Sequence, residues 1–294
     1  MKIAIFGQYY QNDTRPIIKD IFVFFNSNNV ELVIEESFLK ILYEEEIVKK
    51  EYTTFAVYKD LDSSFDLLIS IGGDGTILRA ITYVRNSGIP ILGVNAGRLG
   101  FLAKVQKENI ETFLQLILDK NYTVSKRTLL SIESNPKNDE IKEINFALNE
   151  ISVSRKDTTS MITVETYLNG EYLTSYWADG LIISTPTGST GYSLSCGGPV
   201  LTPDVKSFVI TPIAPHNLNA RPLVIPDKTE IVLKVSGREA NYLVSLDSRI
   251  ATMNNETILT IKKTPFKINM VEIQDETFLK TLRNKLLWGM DKRN

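Results

Sequence analysis

Hydrophobic residues in the first 125 positions form short runs that are separated by stretches with helical spacing. The runs are rich in Ile, Leu and Val and predict strands at Lys2–Phe6, Glu31–Glu35, Leu67–Ile71 and Pro90–Val94. Between and after them, apolar residues at helical spacing predict helices at Pro16–Asn26, Thr76–Asn86 and Val105–Asp119. Strands that alternate with helices predict a layered α/β domain with a parallel sheet.

The pattern changes near residue 126, where alternation with a period of two replaces helical spacing. Thr163–Leu168 and Glu171–Tyr176 flank Asn169-Gly170, which is a strong signal for a β-hairpin. Further turns are expected at Ser236-Gly237 and Asn254-Asn255. This part of the chain is therefore predicted to be mostly β.

Helical spacing returns between Asp275 and Trp288. Asp275 is the candidate N-cap, Gly289 is the candidate stop, and the side chains predicted to face inward are Phe278, Leu279, Leu282 and Leu286. We expect an α/β domain at 1–125, a β-rich domain at 126–272 and a C-terminal helix at 273–294 that packs back on the α/β domain.

Composition and charge narrow the function classes. Of the 294 residues 33 are Lys or Arg and 35 are Asp or Glu, so the net charge of −2 does not favour a nucleic-acid or membrane partner. Cys196 is the single cysteine, which excludes an intramolecular disulfide framework and a cysteine-rich zinc site. No apolar run approaches the roughly 20 residues that span a bilayer, and Met1-Lys2 leads directly into a predicted strand. A cytoplasmic location is the expectation.

The stretch that carries most chemical information is Ile69–Leu78, where a predicted strand breaks into Gly72-Gly73-Asp74-Gly75-Thr76. Glycines at a helix N-terminus allow a phosphate to approach exposed backbone N–H groups. Asp74 would repel that phosphate unless it held a cation or accepted a proton from an attacking hydroxyl, and both roles belong to phosphoryl transfer. The structural alternative is a tight turn in which Asp74 caps the helix, although a cap does not need three glycines.

A second stretch, Ala178–Pro199, is rich in glycine and hydroxyl groups. We interpret it as a loop rather than a strand, with donors for a polar ligand and with Tyr192 available to pack on an aromatic base. Taken alone, it is equally compatible with a Gly/Ser loop that caps a short helix.

Together, the two stretches resemble the NAD kinase family, in which a GGDGT loop and a DG…STPTGSTAYS segment form one cleft. The resemblance extends through Asn95–Leu102, Leu148–Glu150, Arg221-Pro222 and Ser245–Asp247, and so covers most of the chain. It implies an NAD kinase-like fold and the transfer of the γ-phosphoryl group of ATP to the 2′-hydroxyl of the adenosine ribose of NAD, with a divalent metal, Mg or Mn. It also implies a homodimer or homotetramer.

The resemblance assigns roles to individual residues. Asp74 matches the proton acceptor, and Arg79 matches a position that can face phosphate. Asn149 and Glu150 match a pair of NAD contacts, and Asp179 matches a carboxylate near the nicotinamide. The remaining predicted binding residues are Gly72, Gly73, Gly75 and Thr76 in the first loop, Thr190, Gly191, Tyr192, Ser193, Leu194 and Ser195 on the adenine side, and Ala214 in the pocket wall.

The chain departs from the family pattern at three places. Gly191 stands where relatives often have Ala, Trp177 stands where they are often basic, and Asp247-Ser248-Arg249 replaces Asp-Gly-Gln, so that Arg249 could supply charge to the cleft.

Other functions fit less well. A dehydrogenase would need a G-x-G-x-x-G fingerprint and a P-loop enzyme a Gly-Lys dipeptide, and this sequence contains neither. A phosphofructokinase would be α/β throughout, whereas the second half of this chain is predicted to be mostly β. The alternatives that stay open are a lipid kinase of the diacylglycerol kinase type, which shares the GGDGT loop, and a nucleotide-binding sensor without turnover.

Overall fold

The structure is a computed structural model that describes residues 1–8, 11–95, 97, 99–105, 110–157, 160–273 and 276–287. It divides into two compact units. The first contains Met1–Lys126 together with the described residues from Ile268 onward, and the second contains Arg127–Lys267. None of the described helices is both long and apolar enough to cross a membrane.

The first unit carries a parallel sheet of five strands. They are β1 (Lys2–Gly7), β2 (Glu31–Glu35), β3 (Thr53–Phe55), β4 (Leu67–Ile71) and β5 (Ile91–Val94). Their order across the sheet is β3-β2-β1-β4-β5, and every neighbouring pair is parallel. The chain proceeds from β1 to β3 and then returns to the other side of β1, so the sheet has a switch point between β1 and β4. Ligands of such sheets bind outside the carboxyl ends of the strands at the switch point.

Four helices of the first unit follow these strands: α1 (Gln11–Ser27), α2 (Glu36–Glu44), α3 (Asp74–Val84) and α4 (Ile110–Leu118). Apolar side chains of α1, α2 and α4 form one core with the strands, and this core includes Ile17, Ile21, Phe38, Leu114 and Ile117. The first unit therefore has the predicted α/β architecture.

Three helix boundaries differ from the prediction. Helix α1 begins at Gln11, so Pro16 lies inside it and not in its first turn, and Thr14 in the added turn is fully buried. Helix α3 begins at Asp74 because Gly73, in an extended conformation, is its N-cap. Val105 belongs to no helix, since it forms a parallel bridge with Val94; residues 106–109 lie outside the described part of the chain.

The second unit contains two antiparallel sheets. The first sheet has the order β10-β9-β14-β17, with β6 paired to β17 and to β7. The second sheet has the order β13-β12-β11-β8-β15-β16. The strands of both sheets are β6 (Thr123–Asn135), β7 (Phe146–Ala147), β8 (Glu150–Arg155), β9 (Ile162–Leu168), β10 (Glu171–Ala178), β11 (Gly180–Ser184), β12 (Ser207–Ile213), β13 (Leu223–Pro226), β14 (Ile231–Gly237), β15 (Asn241–Leu246), β16 (Arg249–Asn254) and β17 (Ile258–Glu272).

The core of the second unit is formed by apolar side chains of both sheets, including Val153, Ile183, Leu233, Tyr242 and Leu259. Two short helices, α5 (Asp139–Lys142) and α6 (Tyr192–Ser195), complete the unit. The predicted hairpin at Asn169-Gly170 is present, and both residues have the positive φ that this turn requires. This unit is mostly β, as predicted.

One prediction for the second unit is wrong. The sequence predicts a loop for the stretch that begins at Ala178, whereas the first part of this stretch contains strand β11, which pairs with β12 and β8 inside the second sheet. The apolar run Leu181–Ile183 is fully buried, and burial on both faces is what makes a central strand lack alternation.

The last described helix is α7 (Phe278–Leu286), which belongs to the first unit. Thr277 is its N-cap, whereas Asp275 and Gly289, predicted as cap and stop, lie outside the described residues. The inward face is narrower than predicted. Leu282 is buried, but Leu279 is 56% exposed and Leu286 is 38% exposed, because only one edge of this helix packs against the unit.

Candidate active site

The GGDGT loop lies at the switch point of the parallel sheet, between the end of β4 and the start of α3. Gly72 has a φ of 146°, and a Cβ on it would lie 2.3 Å from Thr76 Oγ1. By contrast, a Cβ on Gly73 or Gly75 would meet nothing within 4 Å. The backbone conformation and the contact with Thr76 therefore explain why residue 72 is glycine. Gly73 and Gly75 instead leave open space in front of the helix N-terminus, as close approach of a phosphate requires.

Asp74 does not cap its own helix. Its Oδ2 accepts a hydrogen bond from the Phe101 N–H at 2.8 Å. Its Oδ1 accepts from Leu102 N–H at 3.0 Å and from Ala103 N–H at 2.9 Å. A carboxylate offers about four lone-pair sites, so three are used and one, on Oδ2, is left for a further donor. The alternative in which Asp74 is a helix cap is therefore wrong.

The segment that supplies these N–H groups lies against Asp74 only because residue 100 is glycine. A Cβ there would lie 1.9 Å from Asp74 Oδ1. Phe101 also packs its ring against Phe278 of α7, with a centroid distance of 6.2 Å, and Lys285 Nζ donates to the Leu99 carbonyl. The carboxylate of Asp74, the Leu99–Ala103 segment and α7 are thus linked by direct contacts.

In the second unit, the turn Leu148–Glu150 is held by the buried carboxylate of Asp247. Asp247 accepts from the N–H groups of Leu148 at 3.0 Å, Asn149 at 2.8 Å and Glu150 at 3.2 Å. On the other side, Thr185 Oγ1 donates to the Leu148 carbonyl at 2.6 Å. These bonds fix the direction in which the Asn149 and Glu150 side chains leave the backbone.

Gly188 lets the STPTG segment approach this turn. A Cβ on Gly188 would lie 2.0 Å from the Asn149 carbonyl oxygen. Gly191 is close as well, since a Cβ there would lie 3.1 Å from Glu150 Oε2. The glycines of the second motif therefore bring its backbone against Asn149 and Glu150.

Two buried side-chain oxygens in this cluster, Asn149 Oδ1 and Glu150 Oε2, have no hydrogen-bond partner among the described residues. Burial, followed by the negative charge of Asp247, raises the pKa of Glu150 to about 8, although a backbone hydrogen bond from Tyr192 acts in the opposite direction. Burial also raises the pKa of Asp247, against three N–H donors and the charge of Arg249. Because unpartnered buried polar atoms are costly, this cluster is suited to a ligand that brings hydrogen-bonding groups.

Arg249, which could supply charge to a ligand, makes contacts within the second unit. Its guanidinium donates to the carbonyls of Ile144 and Phe146 and lies 3.9 Å from Asp247 Oδ2. It therefore supports the Leu148–Glu150 turn from behind, through Asp247.

The other predicted residues of the second unit have different surroundings. Asp179 forms an ion pair with Arg155 at 2.9 Å. Tyr192 is exposed, whereas Ser193 is buried and its hydroxyl is hydrogen-bonded to Thr211 at 2.8 Å, so Ser193 is turned away from solvent. Thr190 donates to the Thr187 carbonyl. The other predicted residues are Leu194, which is half-buried, and Ser195 and Ala214, which are exposed, the latter with a φ of 44°.

The described residues do not fit a resident metal ion. Nowhere in the described ranges do three His, Cys, Asp or Glu side chains group so that they could hold one, and three of the lone pairs of Asp74 are used by backbone N–H groups. Mg²⁺ commonly binds through one or two carboxylates and the substrate phosphates.

Comparison with known proteins identifies the family. Residues 4–122 match the family model of the ATP-NAD kinase N-terminal domain, and residues 148–273 match that of the ATP-NAD kinase C-terminal domain. The chain belongs to the ATP-NAD kinase family. The family and the enzyme class predicted from the two motifs are therefore confirmed, and a lipid kinase or a silent sensor is not favoured.

Individual relatives agree with this assignment over the full chain. An NAD kinase of Flavobacterium johnsoniae is 75% identical over 294 residues, which is 100% of both chains. An NAD kinase of Bacteroides fragilis is 42% identical over 293 residues, again 100% of both chains. Among solved structures, an NAD kinase from Archaeoglobus fulgidus in complex with ATP has a TM-score of 0.74 and 26% identity, covering 97% of each chain.

A further solved structure bears on the fold alone. The yeast NADH kinase complexed with NADH is 22% identical, has a TM-score of 0.88, and covers 99% of this chain and 88% of its own. The predicted combination of an α/β domain and a mostly β domain is confirmed by this likeness.

Sequence reasoning missed several residues that shape these sites. Gly100 and the amides of Phe101–Ala103 hold Asp74, and Asp247 holds Asn149 and Glu150. All of them except Ala103 lie within segments that resemble the family, but neither charge nor periodicity distinguishes them. They were found only from the contacts of the fold.

Proposed function

We propose that the protein transfers the γ-phosphoryl group of ATP to the 2′-hydroxyl of the adenosine ribose of NAD, forming NADP. The O2′ atom forms a bond to the γ-phosphorus, the bond between that phosphorus and the bridging oxygen of ADP breaks, and the hydroxyl proton passes to Asp74. The observation that carries this proposal is the fixed carboxylate of Asp74, which keeps one lone pair on Oδ2 beside glycines that leave room for phosphate.

The remaining residues have proposed binding roles. Gly72, Gly73, Gly75 and Thr76 place the phosphates at the N-terminus of α3, and Arg79 supplies a positive charge. Asn149 and Glu150 form hydrogen bonds with NAD, with Asp179 towards the nicotinamide. The residues from Thr190 to Ser195, together with Ala214, form the adenine side, where Ser193 acts only through packing because its hydroxyl is occupied by Thr211.

A divalent metal enters this proposal as part of the ATP substrate. Mg or Mn bound to the phosphates would neutralise their charge during transfer. We further propose a cytoplasmic location, which a chain with a single cysteine supports, and a homodimer or homotetramer, which light scattering would test.

The test of the proposed function is ATP-dependent formation of NADP from NAD, detected with an NADP-specific dehydrogenase. The expected result is NADP formation by the wild-type protein in the presence of Mg²⁺, with no phosphorylation of diacylglycerol supplied as a competing acceptor. Phosphorylation of the lipid instead of NAD, or binding of both nucleotides without turnover of the wild-type protein, would refute the proposal.

A further inference from the structure

A cavity of about 560 Å³ lies in the first unit at the carboxyl ends of β1 and β2. Among the residues that line it are Gly7, Gln8, Glu35, Phe38, Arg79 and Tyr83. None of the roles described above uses this cavity, apart from the charge of Arg79. Its size is in the range of small-molecule sites, and it is large enough for a nucleoside.

The position of the cavity within the sheet indicates the class of ligand. In doubly wound sheets that bind a dinucleotide, an acidic residue in the first βαβ unit hydrogen-bonds the 2′-hydroxyl of the ribose. Here the second strand ends at Glu35. The glycine fingerprint of dinucleotide enzymes is absent after β1, so the phosphates of such a ligand would lie elsewhere, and the open glycines of the GGDGT loop follow the adjacent strand β4.

Glu35 has the acceptors that a ribose diol requires. Glu35 is buried, with only 6% of its surface exposed. One carboxylate oxygen accepts from the Phe38 N–H at 2.8 Å, and the Tyr83 hydroxyl is hydrogen-bonded to the carboxylate. Burial, followed by the charge of Glu35, raises the pKa of Tyr83, so the phenol keeps its proton and donates it. Of about four lone-pair sites, two are left for the two hydroxyl donors of a diol.

The other walls of the cavity fit the rest of a nucleotide. The ring of Phe38 would come within 2.5 Å of a Cβ on Gly7, so glycine at this position allows an aromatic wall. Arg79, on α3, is close enough to Tyr83 for its positive charge to oppose, in part, the raised pKa of the phenol. Arg79 is an exposed residue, and its guanidinium is suited to a phosphate group.

We propose that this cavity binds the nucleoside part of the phosphoryl donor, with the ribose diol on Glu35 and the phosphates on Arg79. The inference rests on the proposed function, in which ATP is the donor and the contacts of NAD lie on Asn149 and Glu150. It extends that function by naming the side chains that recognise the donor's sugar.

The experiment compares ATP with 2′-deoxy-ATP as donors for the wild-type protein and for Glu35→Gln. The glutamine keeps an oxygen for the Phe38 N–H but loses the charged acceptors of the diol. For the wild-type protein we expect kcat/KM to favour ATP by about ten- to a hundredfold, as for a hydrogen bond to a charged group. For Glu35→Gln the two donors should become nearly equal, while the KM for NAD stays unchanged. The matched control is Glu36→Gln, at an exposed neighbouring position, which should keep the wild-type preference.

Several results would overturn the inference. Equal use of ATP and 2′-deoxy-ATP by the wild-type protein would overturn it. This comparison needs no variant, so it still tests the inference if Glu35→Gln does not fold. A preference that persists in folded Glu35→Gln, or a rise in the KM for NAD alone, would place the diol of the donor elsewhere. If the wild-type protein forms no NADP, the proposed function fails separately, and calorimetric affinities for ATP and 2′-deoxy-ATP still test the cavity.

Discussion

Gly100 and Asp74 touch so closely that any side chain at position 100 would overlap the carboxylate, at 1.9 Å from its Oδ1. We expect Gly100→Ala to push the carboxylate or the Leu99–Ala103 segment aside. Misplacement of a reacting group by about 1 Å can cost about 10² in rate, so kcat should fall by about that factor. Steady-state NADP formation measures it. Gly97→Ala is the matched control, since a Cβ there meets nothing within 4 Å. Equal activity of both variants would show that the contact is not needed.

Asp74→Asn tests the role of Asp74 as proton acceptor while keeping the shape of its side chain. The amide cannot take the hydroxyl proton, and loss of a general base costs about 10² to 10⁴ in rate. We expect kcat to fall at least about 10²-fold, with NAD affinity within about tenfold of wild type by calorimetry. The amide also turns a donor towards one of the three backbone N–H groups, so hydrogen exchange of Phe101–Ala103 should become faster. Near-normal turnover would refute the role of Asp74.

Asp247→Asn should weaken NAD while sparing ATP. The substitution keeps the shape of the side chain, but it leaves one N–H of the Leu148–Glu150 turn facing another donor, which costs about 1–3 kcal/mol. We expect the KM for NAD to rise between several-fold and a hundredfold, with the KM for ATP unchanged. Ser248→Ala, at an exposed neighbouring position, is the control. An equal rise in both KM values would indicate general loss of structure instead of positioning.

The raised pKa of Glu150 predicts a stability that depends on pH. A carboxyl that titrates near 8 in the folded protein and near 4.5 when unfolded binds more protons in the folded state between these values. Its contribution to stability is therefore full below about pH 4.5 and is lost as the pH rises towards 8. Relative to Glu150→Gln, the wild-type free energy of unfolding should decrease by a few kcal/mol across this window. Urea unfolding at pH 5 and pH 8 measures the difference, and parallel pH profiles would contradict the prediction.

The sequence pattern correctly predicts those strands and turns that depend on interactions within a few residues. The strands Glu31–Glu35 and Leu67–Ile71 have the predicted bounds, and the Asn169-Gly170 turn forms its hairpin, because burial and turn chemistry act within a few residues. That the motif glycines mark the place where a ligand approaches stays a prediction. For β11 the same reasoning failed, since the hydroxyl-rich sequence that follows obscured a short buried run.

Contacts between distant segments decide the rest of the candidate site. The donors to Asp74 lie 27 to 29 positions away along the chain, and Asp247 lies 97 to 99 positions from the turn that it holds. Periodicity carries no information on such pairs. The exposure of Leu279 and Leu286 has a similar origin, since the pattern of α7 shows an apolar stripe but not how much surface is available to cover it.

The link between α7 and the segment beside Asp74 has a consequence for synthesis of the protein on the ribosome. Lys285 and Leu99 are separated by 186 positions, so translation produces the GGDGT loop and its supporting amides long before it produces the helix that contacts them. Met270, which pairs with Ile91 at the border of the parallel sheet, is also made late. A nascent chain halted before residue 270 would therefore carry every residue of the Asp74 cluster without these late supports.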